Sequence, residues 1–520
     1  MVLFAEDCKI DALVILIGAL TFIYFFLKRT YSYWERKGFK TLPNYSYIFG
    51  HFKETLTQKE FAGDCVKKLY ASTNEPFIGI YSILRPILLV RDPELMRLIL
   101  IKDFPSFTDR DVHCDEEYDP LSGILFSLPG QKWKNLRGKL SPAFSTGKLK
   151  AMFSTLHDCG STLQQYLGKI ADKEEILYVR DIAARHTTNV IASVGFGIDC
   201  DTIGNPNHDF RTHGRQIFES TFINAVRWFC FFFAPRLMRI LRLKIVNSKV
   251  EHFLHSVVKQ NLEYREKNGV VRKDYFQLLI QLRNTGTVQL DDEWQTVIAA
   301  DENQKTLSLN EICSQTFMFF AAGFETSSTT LSFCLYELAK NPHIQQTVHD
   351  EIDRILNRND DKITYESIFD MKYLEVCIDE TLRKYATLPI LNRTCVKNYQ
   401  IPGTDKVIEK GTQVFIPVMA LHWDEKYFDD PEKFIPERFN EENSVGKNMI
   451  NRPYLPFGEG PRNCVGMRLG KLQIKGALVM MLQKFRFELS DHHKNNDIKF
   501  DPKNFLITSL GGIHLRVFKR

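Results

Sequence analysis

One cysteine in a glycine-rich stretch constrains this chain more than any other feature of its sequence. The stretch FGEGPRNCVG begins at residue 457 and places Cys464 between Arg462 and Gly466. Glycines allow left-handed dihedral angles and close backbone approach, and a neighbouring cation favours a thiolate. These residues alone leave two interpretations open. The stretch is either a loop whose sulfur faces a flat, anionic group, or a flexible turn that contains a cysteine.

The residues after Cys464 predict a helix. The sequence MRLGKLQIKGALVMMLQKF spaces its apolar residues three to four apart. The thiol would then lie just before a helix N-terminus, where free N–H groups and the helix dipole favour negative charge. A dinucleotide-binding GxGxxG is not matched, because Asn463 occupies the place of the third glycine.

The composition excludes several classes of protein. A formal charge of +5 over 520 residues, without a block of like charge, argues against a dedicated nucleic-acid binder. The eleven cysteines are scattered and contain no CxxC pair, so neither a disulfide framework nor a zinc finger is predicted. This pattern suits a reducing compartment, in which most thiols simply fill apolar space.

The N-terminus predicts a membrane anchor. Residues 12–27 form an uncharged apolar run that Lys28 and Arg29 follow at once. As a helix the run would be about 24 Å long, slightly short of a bilayer core of about 27 Å. Interfacial aromatic side chains, which extend such a span, follow at Tyr31, Tyr33 and Trp34. A cleaved signal peptide would carry its positive charge before the run. We therefore predict an uncleaved anchor at residues 1–29, with the rest of the chain in the cytosol.

The remaining sequence predicts a mainly α-helical fold with small β-sheets. Apolar residues show helical spacing in long stretches, at residues 141–166, 221–241, 308–340 and 342–356. Strand-like runs are short and lie at residues 78–90, 413–418 and 512–518. We expect a hinge at residues 30–50 and one catalytic domain at residues 51–520. Within it, residues 222–241 are too interrupted to cross a bilayer, and we expect them to divide between the core and shallow membrane contact.

A second candidate site lies in FMFFAAGFETSSTT, residues 317–330. Ala322 and Gly323 remove bulk from one helical turn, although a mid-helix glycine costs about 1 kcal/mol, as if a group lay against that turn. Glu325 and Thr326 follow, a carboxylate and a hydroxyl suited to relaying protons. The alternative is ordinary helix packing, with hydroxyls that donate back to carbonyls.

Three further motifs are weak when each is taken alone. ETLR places Glu380 and Arg383 on one helix face, where they can pair, and PERF supplies Arg438 as a third member. WKNLR directs the indole N–H of Trp133 and the guanidinium of Arg137 the same way. Both groups only donate, so an anionic acceptor would satisfy them. Each motif also fits an ordinary amphipathic helix.

Together the motifs resemble the cytochrome P450 family. The signature FxxGxRxCxG is complete at Phe457, Gly460, Arg462, Cys464 and Gly466, and the oxygen-binding motif [AG]GxxT is matched at Ala322, Gly323, Glu325 and Thr326. ExxR, PERF and WxxxR occur in the family's order, and the details look most like insect microsomal P450s that metabolise xenobiotics. The resemblance implies the P450 fold, with haem between the oxygen-binding helix and the cysteine loop. The chain departs from the pattern in its hinge, where the usual proline-rich segment is reduced to Pro43.

The resemblance also implies a set of residues around haem b. Cys464 would be the axial thiolate ligand of the iron, and Thr326 and Glu325 would deliver or organise protons. The haem propionates would be held by Arg462, Trp133, Arg137 and Arg393. The remaining cofactor-binding residues would be Phe457, Gly458, Gly466 and Ala322. A buried ion network would brace the loop, formed by Glu380, Arg383 and Arg438.

The activity implied is that of a haem-thiolate monooxygenase. It would insert one oxygen atom from O2 into a hydrophobic small molecule, either a xenobiotic or an endogenous lipid-like compound. Electrons would come from NADPH through NADPH–cytochrome P450 reductase, and cytochrome b5 is a second candidate donor. We expect the chain in the endoplasmic reticulum membrane, with the catalytic domain facing the cytosol. Two alternatives stay open: a P450-type isomerase or synthase that does not use O2, and a non-catalytic haem protein that senses a gas.

Basic residues near two motifs predict a docking surface for the reductase. Residues 131–150 and 461–475 are rich in cations and contain no Asp or Glu. Opposite charges across an interface mainly raise the association rate, whereas a solvated helix face is the plain alternative. The residues expected to take part are Lys132, Lys134, Lys139, Lys148, Arg468, Lys471 and Lys475.

Overall fold

The helical spacing of apolar residues produces a mainly α-helical structure. The computed structural model describes residues 3–288, 294, 306–440, 453–494 and 496–520. The helices in these ranges, up to the aromatic segment in mid-chain, are α1 Leu3–Tyr31, α2 Tyr33–Arg36, α3 Lys53–Leu56, α4 Ala62–Ala71, α5 Pro93–Arg97, α6 Gly130–Leu140, α7 Thr146–Asp172, α8 Val179–Ile191, α9 Asp209–Phe218 and α10 Phe222–Phe233. Those that follow are α11 Pro235–Ile240, α12 Ser248–Asn268, α13 Tyr275–Thr285, α14 Leu309–Lys340, α15 Pro342–Asn357, α16 Tyr365–Asp370, α17 Lys372–Lys384, α18 Val418–His422, α19 Met467–Leu482 and α20 Asp491–Lys494.

Short strands form small sheets beside the helices. The strands are β1 Phe77–Ser82, β2 Arg85–Val90, β3 Ile176–Tyr178, β4 Leu391–Thr394, β5 Tyr399–Gln400, β6 Val407–Ile408, β7 Gln413–Ile416, β8 Phe485–Leu489 and β9 His514–Lys519. The largest sheet has the order β1-β2-β7-β4, in which β2 and β7 are parallel and the other neighbours antiparallel. A three-stranded sheet has the order β3-β9-β8, and β5 pairs with β6. The mainly α fold with small sheets is therefore confirmed.

The longest helix of the described residues, α14, runs through the core. The spacing of Ser308 and Glu311 predicts a capping box at its start, and the structure confirms one, with the Glu311 amide donating to the Ser308 side chain. Most of its side chains are buried, and it packs against α8, α12, α17 and α19. This position places α14 opposite the N-terminus of α19 and the cysteine loop that precedes it.

Two segments that were each predicted as one element contain two elements in the structure. The stretch at residues 221–241 is two helices, α10 and α11, because Pro235 begins a new helix and the backbone turns at Ala234, with φ −138°. The run at residues 78–90 is a hairpin of two strands, with Ile83 in a left-handed conformation at the turn. Hydrophobic periodicity located both segments but not the breaks within them.

The N-terminal helix projects from the domain, but its end is packed on it. Residues 10–31 are long and apolar enough to cross a membrane, and the most apolar 18-residue window of this span has no buried residue. The hydroxyl of Tyr31 donates to the Ile83 carbonyl at 2.7 Å, and the indole of Trp34 donates to the Ile80 carbonyl at 3.1 Å. Trp34 is fully buried. The segment after the helix is therefore fixed against β1 and its turn.

Candidate active site

A cavity of about 370 Å³ lies between α14 and the loop before α19. Its floor includes Cys464 and its neighbours, and one turn of α14 faces them from above. Part of its wall is strongly aromatic and consists of Phe126, Phe218, Trp228, Phe231, Phe232 and Phe505. Apolar cavities with a few polar groups are typical binding sites for hydrophobic small molecules.

Cys464 faces this cavity. Of the ten cysteines whose side chains the structure describes, all are free thiols and Cys464 is the one that lines the cavity. Its accessible surface opens into the cavity, and protein surrounds it otherwise. Burial raises the pKa of the thiol, whereas the backbone N–H of Gly466 and the guanidinium groups of Arg137 and Arg110 act to lower it. The Cys464 amide donates to the Phe457 carbonyl at 2.8 Å, which closes the loop.

The cysteine loop needs glycine where it turns. Gly458 and Gly460 have φ of +70° and +73°, in the left-handed region that L side chains rarely adopt. A Cβ on Gly460 would lie 1.9 Å from the Leu100 carbonyl oxygen. The loop therefore rests against the backbone of the π-helical segment Leu98–Lys102.

Four guanidinium groups gather at one end of the cavity. Arg110, Arg137 and Arg462 line it, and Arg393, fully buried in β4, acts electrostatically on Arg110 and Arg462. Burial lowers the pKa of Arg393 to about 10, and burial together with the charge of Arg393 lowers that of Arg462 to about 9. Among the described residues one carboxylate pairs with this cluster, Asp109, at 3.9 Å from Arg462 Nη2. The cluster therefore holds excess positive charge.

Trp133 and Arg137, predicted as donors to an anion, have protein partners as well. The guanidinium of Arg462 lies over the Trp133 ring, 4.3 Å from its centroid. Arg137 donates from Nη1 to the carbonyl and from Nη2 to the side-chain oxygen of Asn463, both at 2.8 Å. Arg137 thus holds the residue next to Cys464 directly. Its part in binding propionates stays a prediction.

One turn of α14 faces the cysteine across the cavity. Ala322 lines the cavity, and its carbonyl accepts the Thr326 hydroxyl at 2.6 Å. Gly323 is small for a different reason, because a Cβ there would lie 2.4 Å from Ile191 Cδ1 on α8. Close packing of two helices requires this glycine, whereas Ala322 leaves room in the cavity.

Glu325 is buried and paired with an arginine. Its Oε1 accepts from Arg180 Nη2 on α8 at 2.8 Å. Glu325 lines the cavity, and the side chain of Arg180 is 32% exposed. The carboxylate therefore lies between the cavity and a partly solvated cation. A role in proton delivery stays a prediction.

The residues of ETLR and PERF come together in the structure. Arg383 donates from Nε and Nη2 to the two carboxylate oxygens of Glu380 at 2.7 and 2.8 Å, and both side chains are fully buried. Arg438 Nε lies 3.4 Å from Glu380 Oε1. The Ile435 amide donates to the same carboxylate at 3.0 Å. The ion pair therefore fastens the chain before PERF to α17.

Comparison with known proteins agrees with this geometry. The family model for cytochrome P450 matches residues 41–516. This chain is a cytochrome P450. It is 39% identical over 512 residues to the probable cytochrome P450 6d4 of Drosophila melanogaster, covering 98% of each chain. It is also 39% identical to cytochrome P450 6k1 of Blattella germanica over 482 residues, or 91% of each chain. The P450 monooxygenase activity and the haem b cofactor follow from family membership.

The residues of this P450 fit the cofactor of its family. Arg393 has two buried nitrogens, Nε and Nη2, without a partner among the described residues, and Arg462 has one, Nε. Such donors require anionic acceptors, and haem b carries two propionates. In the same cavity a thiol faces the open space, as thiolate ligation of the iron requires.

Sequence reasoning missed two residues of this P450 site. Arg110 stacks on Phe126 at 4.0 Å and donates to the Arg462 carbonyl at 3.0 Å, which places it at the cavity wall. Arg180, the partner of Glu325, is the second. Neither residue belongs to a spaced motif, and only the fold brings each to its partner. A buried arginine in a loop gives no periodic signal in a sequence.

Proposed function

We propose that Cys464 is the thiolate ligand of haem b and that the aromatic cavity holds a hydrophobic substrate. The observation that carries the proposal is that Cys464, among the described cysteines, is the thiol that opens into the cavity. When bound, haem b supplies the redox chemistry, which takes O2, two electrons and two protons to place one oxygen atom in the substrate and release the other as water.

Different residues of the chain would stabilise the thiolate and the haem propionates. Gly466 N–H, Arg137 and Arg110 stabilise negative charge on the sulfur. A coordinated thiol is deprotonated outright, and these three groups offset part of the cost that burial adds to the loss of the proton. The donors of Arg393 and Arg462 without partners would take the propionates, and Arg110, beside both, would add positive charge.

Proton supply would fall to α14. Thr326 Oγ1 lies on the cavity side and donates to Ala322. When it turns from this carbonyl, it can hold a proton toward the reacting end of the cavity. Glu325, which lines the cavity and pairs with the partly exposed Arg180, would connect the cavity with the protein exterior.

Substitution of Cys464 tests the proposal directly. Cys464→Ser should remove the thiolate and with it the band at about 450 nm of the reduced carbon-monoxide complex, which marks thiolate-bound haem in this family. Cys114→Ser is a matched control, because Cys114 is a half-buried free thiol that does not line the cavity. A Cys464→Ser protein that retains the band would show that another cysteine is the ligand.

We further propose that NADPH–cytochrome P450 reductase docks beside α6 and the start of α19. The predicted basic surface is smaller than its sequence indicates, because carboxylates from outside both stretches pair with several of its cations. Lys132 pairs with Glu116 at 2.7 Å, and Lys471 pairs with Asp379 at 2.7 Å. Lys148 and Lys475 are buried. The cations left exposed or half-exposed without an ion pair among the described residues are Lys134, Lys139 and Arg468.

Charge reversal at this surface separates docking from chemistry. Lys134→Glu with Arg468→Glu should slow reductase-supported turnover, most at low salt, because long-range attraction is screened as salt rises. Turnover driven by an organic peroxide should barely change. Lys267→Glu is the control, since Lys267 is an exposed lysine on α12 that forms no ion pair within the described ranges. Equal loss in both assays would contradict docking. Cytochrome b5 is a second candidate for the same surface.

We propose that α1 anchors the chain in the endoplasmic reticulum membrane, with the domain in the cytosol. Exposed apolar residues support lipid contact. Tyr47 and Ile48 lie in the turn that packs against Tyr31 at the end of α1, and Phe222, Ile223, Ile240 and Leu241 lie at the ends of α10 and α11. The sequence contains two glycosylation sequons, NYS at Asn44 and NRT at Asn392. Asn392 is buried and donates to the Arg110 carbonyl, so it reports nothing about topology. Asn44 is exposed, and a glycosidase-sensitive mass shift there would contradict the cytosolic orientation.

A further inference from the structure

A fully buried histidine, His422, lies between the ETLR helix and the cysteine loop. It is the last residue of α18. Its ring packs against Tyr454, with centroids 5.5 Å apart. The carbonyl of His422 accepts Arg383 Nη1 at 2.8 Å, so the histidine is held by the same arginine that pairs with Glu380. No sequence motif discussed above contains it.

The partners of His422 fix its tautomer. Nδ1 lies 3.1 Å from the Arg383 carbonyl oxygen, which can only accept, so Nδ1 carries the proton. Nε2 lies 2.9 Å from the Leu455 amide nitrogen, which can only donate, so Nε2 is unprotonated. The ring is therefore neutral and both of its nitrogens are used. A second proton on Nε2 would face the Leu455 N–H and lie near the Arg383 charge.

A short path of hydrogen bonds leads from His422 to the cysteine. The amide of Leu455 is bound by His422, and the carbonyl of Leu455 accepts a hydrogen bond from the Gly458 amide at 3.1 Å. This second bond forms the first turn of the loop. Phe457, inside that turn, accepts the Cys464 amide at 2.8 Å. On the other side, the Tyr454 hydroxyl donates to the Asp379 carbonyl at 3.0 Å on α17. The start of the loop is thus fastened at two adjacent residues.

We propose that His422 is a positioning residue for the monooxygenase reaction. As the Nδ1–H tautomer it fixes the backbone at Leu455, and through the turn at Phe457 it sets where the Cys464 sulfur lies. The inference rests on the proposed function, in which Cys464 ligates the haem iron. His422 itself contacts neither the cavity nor the reacting atoms.

Three substitutions separate the two hydrogen bonds of the ring. His422→Gln places an acceptor oxygen near the Nε2 position and can still bind the Leu455 amide. His422→Asn places a donor near the Nδ1 position and loses that bond, and His422→Phe keeps the aromatic packing but loses both bonds. Gln and Asn differ little in chemistry, so a difference between these variants reports the Leu455 contact. His349→Phe is a control, since His349 is another buried histidine, on α15.

Two measurements on the haem-loaded protein test the proposal. Hydrogen exchange at the amides of Leu455 and Cys464 should be about tenfold faster in the Asn and Phe variants than in wild type, as expected for one lost hydrogen bond. The Gln variant should resemble wild type. The band at about 450 nm should decay fastest in the Asn and Phe variants under mild denaturant. The control His349→Phe should lower the unfolding midpoint but leave amide exchange at Leu455 and Cys464 as in wild type.

The outcomes distinguish failure of this inference from failure of the proposed function. Equal exchange at Leu455 in the Gln and Asn variants would overturn the positioning role of His422. A band retained in Cys464→Ser would overturn the ligand assignment instead. Amide exchange in the loop reports on His422 whichever cysteine binds the iron.

Discussion

Replacing Gly460 by alanine is expected to damage the cysteine loop more than the same change at either neighbouring glycine. A left-handed conformation costs an L-residue about 1–2 kcal/mol, and Gly460 has φ +73°. Its added Cβ would also lie 1.9 Å from the Leu100 carbonyl oxygen, although real contacts essentially never fall below 3.0 Å. The backbone at Leu100 or the loop must then move by about 1 Å, and overpacking of this kind costs about 1–3 kcal/mol. We expect a total loss of about 2–5 kcal/mol.

Two matched variants separate these costs. Gly458→Ala meets nothing closer than 3.7 Å at φ +70°, so it should lose only the conformational part, about 1–2 kcal/mol. Gly466→Ala has φ −88° and a nearest contact of 3.8 Å, so it should lose less than about 1 kcal/mol. Urea unfolding measures the stability of each variant, and the band at about 450 nm measures the fraction of protein that holds thiolate-bound haem. A Gly460→Ala protein as stable as Gly458→Ala would refute the proposed contact with Leu100.

Three further changes have expected outcomes. Arg393→Leu should release haem to a scavenging globin about 10–100-fold faster, because a charged donor to a propionate is lost, and an unchanged rate would contradict that role. Thr326→Ala should keep haem and substrate binding but yield more hydrogen peroxide per NADPH, and unchanged coupling would make Thr326 a packing residue. Acid should destabilise the fold, because burial lowers the pKa of His422 to about 3 and that of His186 to about 4, from 6.5. As the pH falls, protons therefore bind these histidines in the unfolded chain before they bind them in the folded protein. The free energy of unfolding is complete above pH 6.5 and falls toward pH 4 and below. For His422 this loss is on the order of 4 kcal/mol. Urea midpoints from pH 7 to pH 4 measure this loss, and a flat profile in wild type would contradict it.

The sequence predicts much of this fold because periodicity and motif spacing are local signals. The capping box at Ser308 and the helix around Thr326 follow from residues a few positions apart, so they are visible without a structure. The same holds for the cysteine signature, whose spacing is specific enough to identify the family. Element breaks are less visible, as the turn at Ala234 shows, because helical spacing continues across it.

Partners from distant parts of the chain could not be predicted where no family motif contains them. Lys471 looks like a free cation in its own stretch, and only the fold brings Asp379 within 2.7 Å of it. The same is true of Arg110, which reaches the cavity from a loop without a motif. Long-range ion pairs and buried arginines depend on tertiary contacts, so these were the parts of the site that sequence patterns left out.

The packing of Tyr31 and Trp34 has a mechanical consequence. Tyr31 at the end of α1 and Trp34 just after it are hydrogen-bonded to the turn after β1 and to β1 itself. The helix and the domain would therefore move together. A bilayer of different thickness changes the tilt of a membrane helix, and in this protein the tilt would turn the whole domain with it. If α1 anchors the chain, the depth at which the exposed Tyr47 and Ile48 meet the lipid would then vary with the thickness of the membrane.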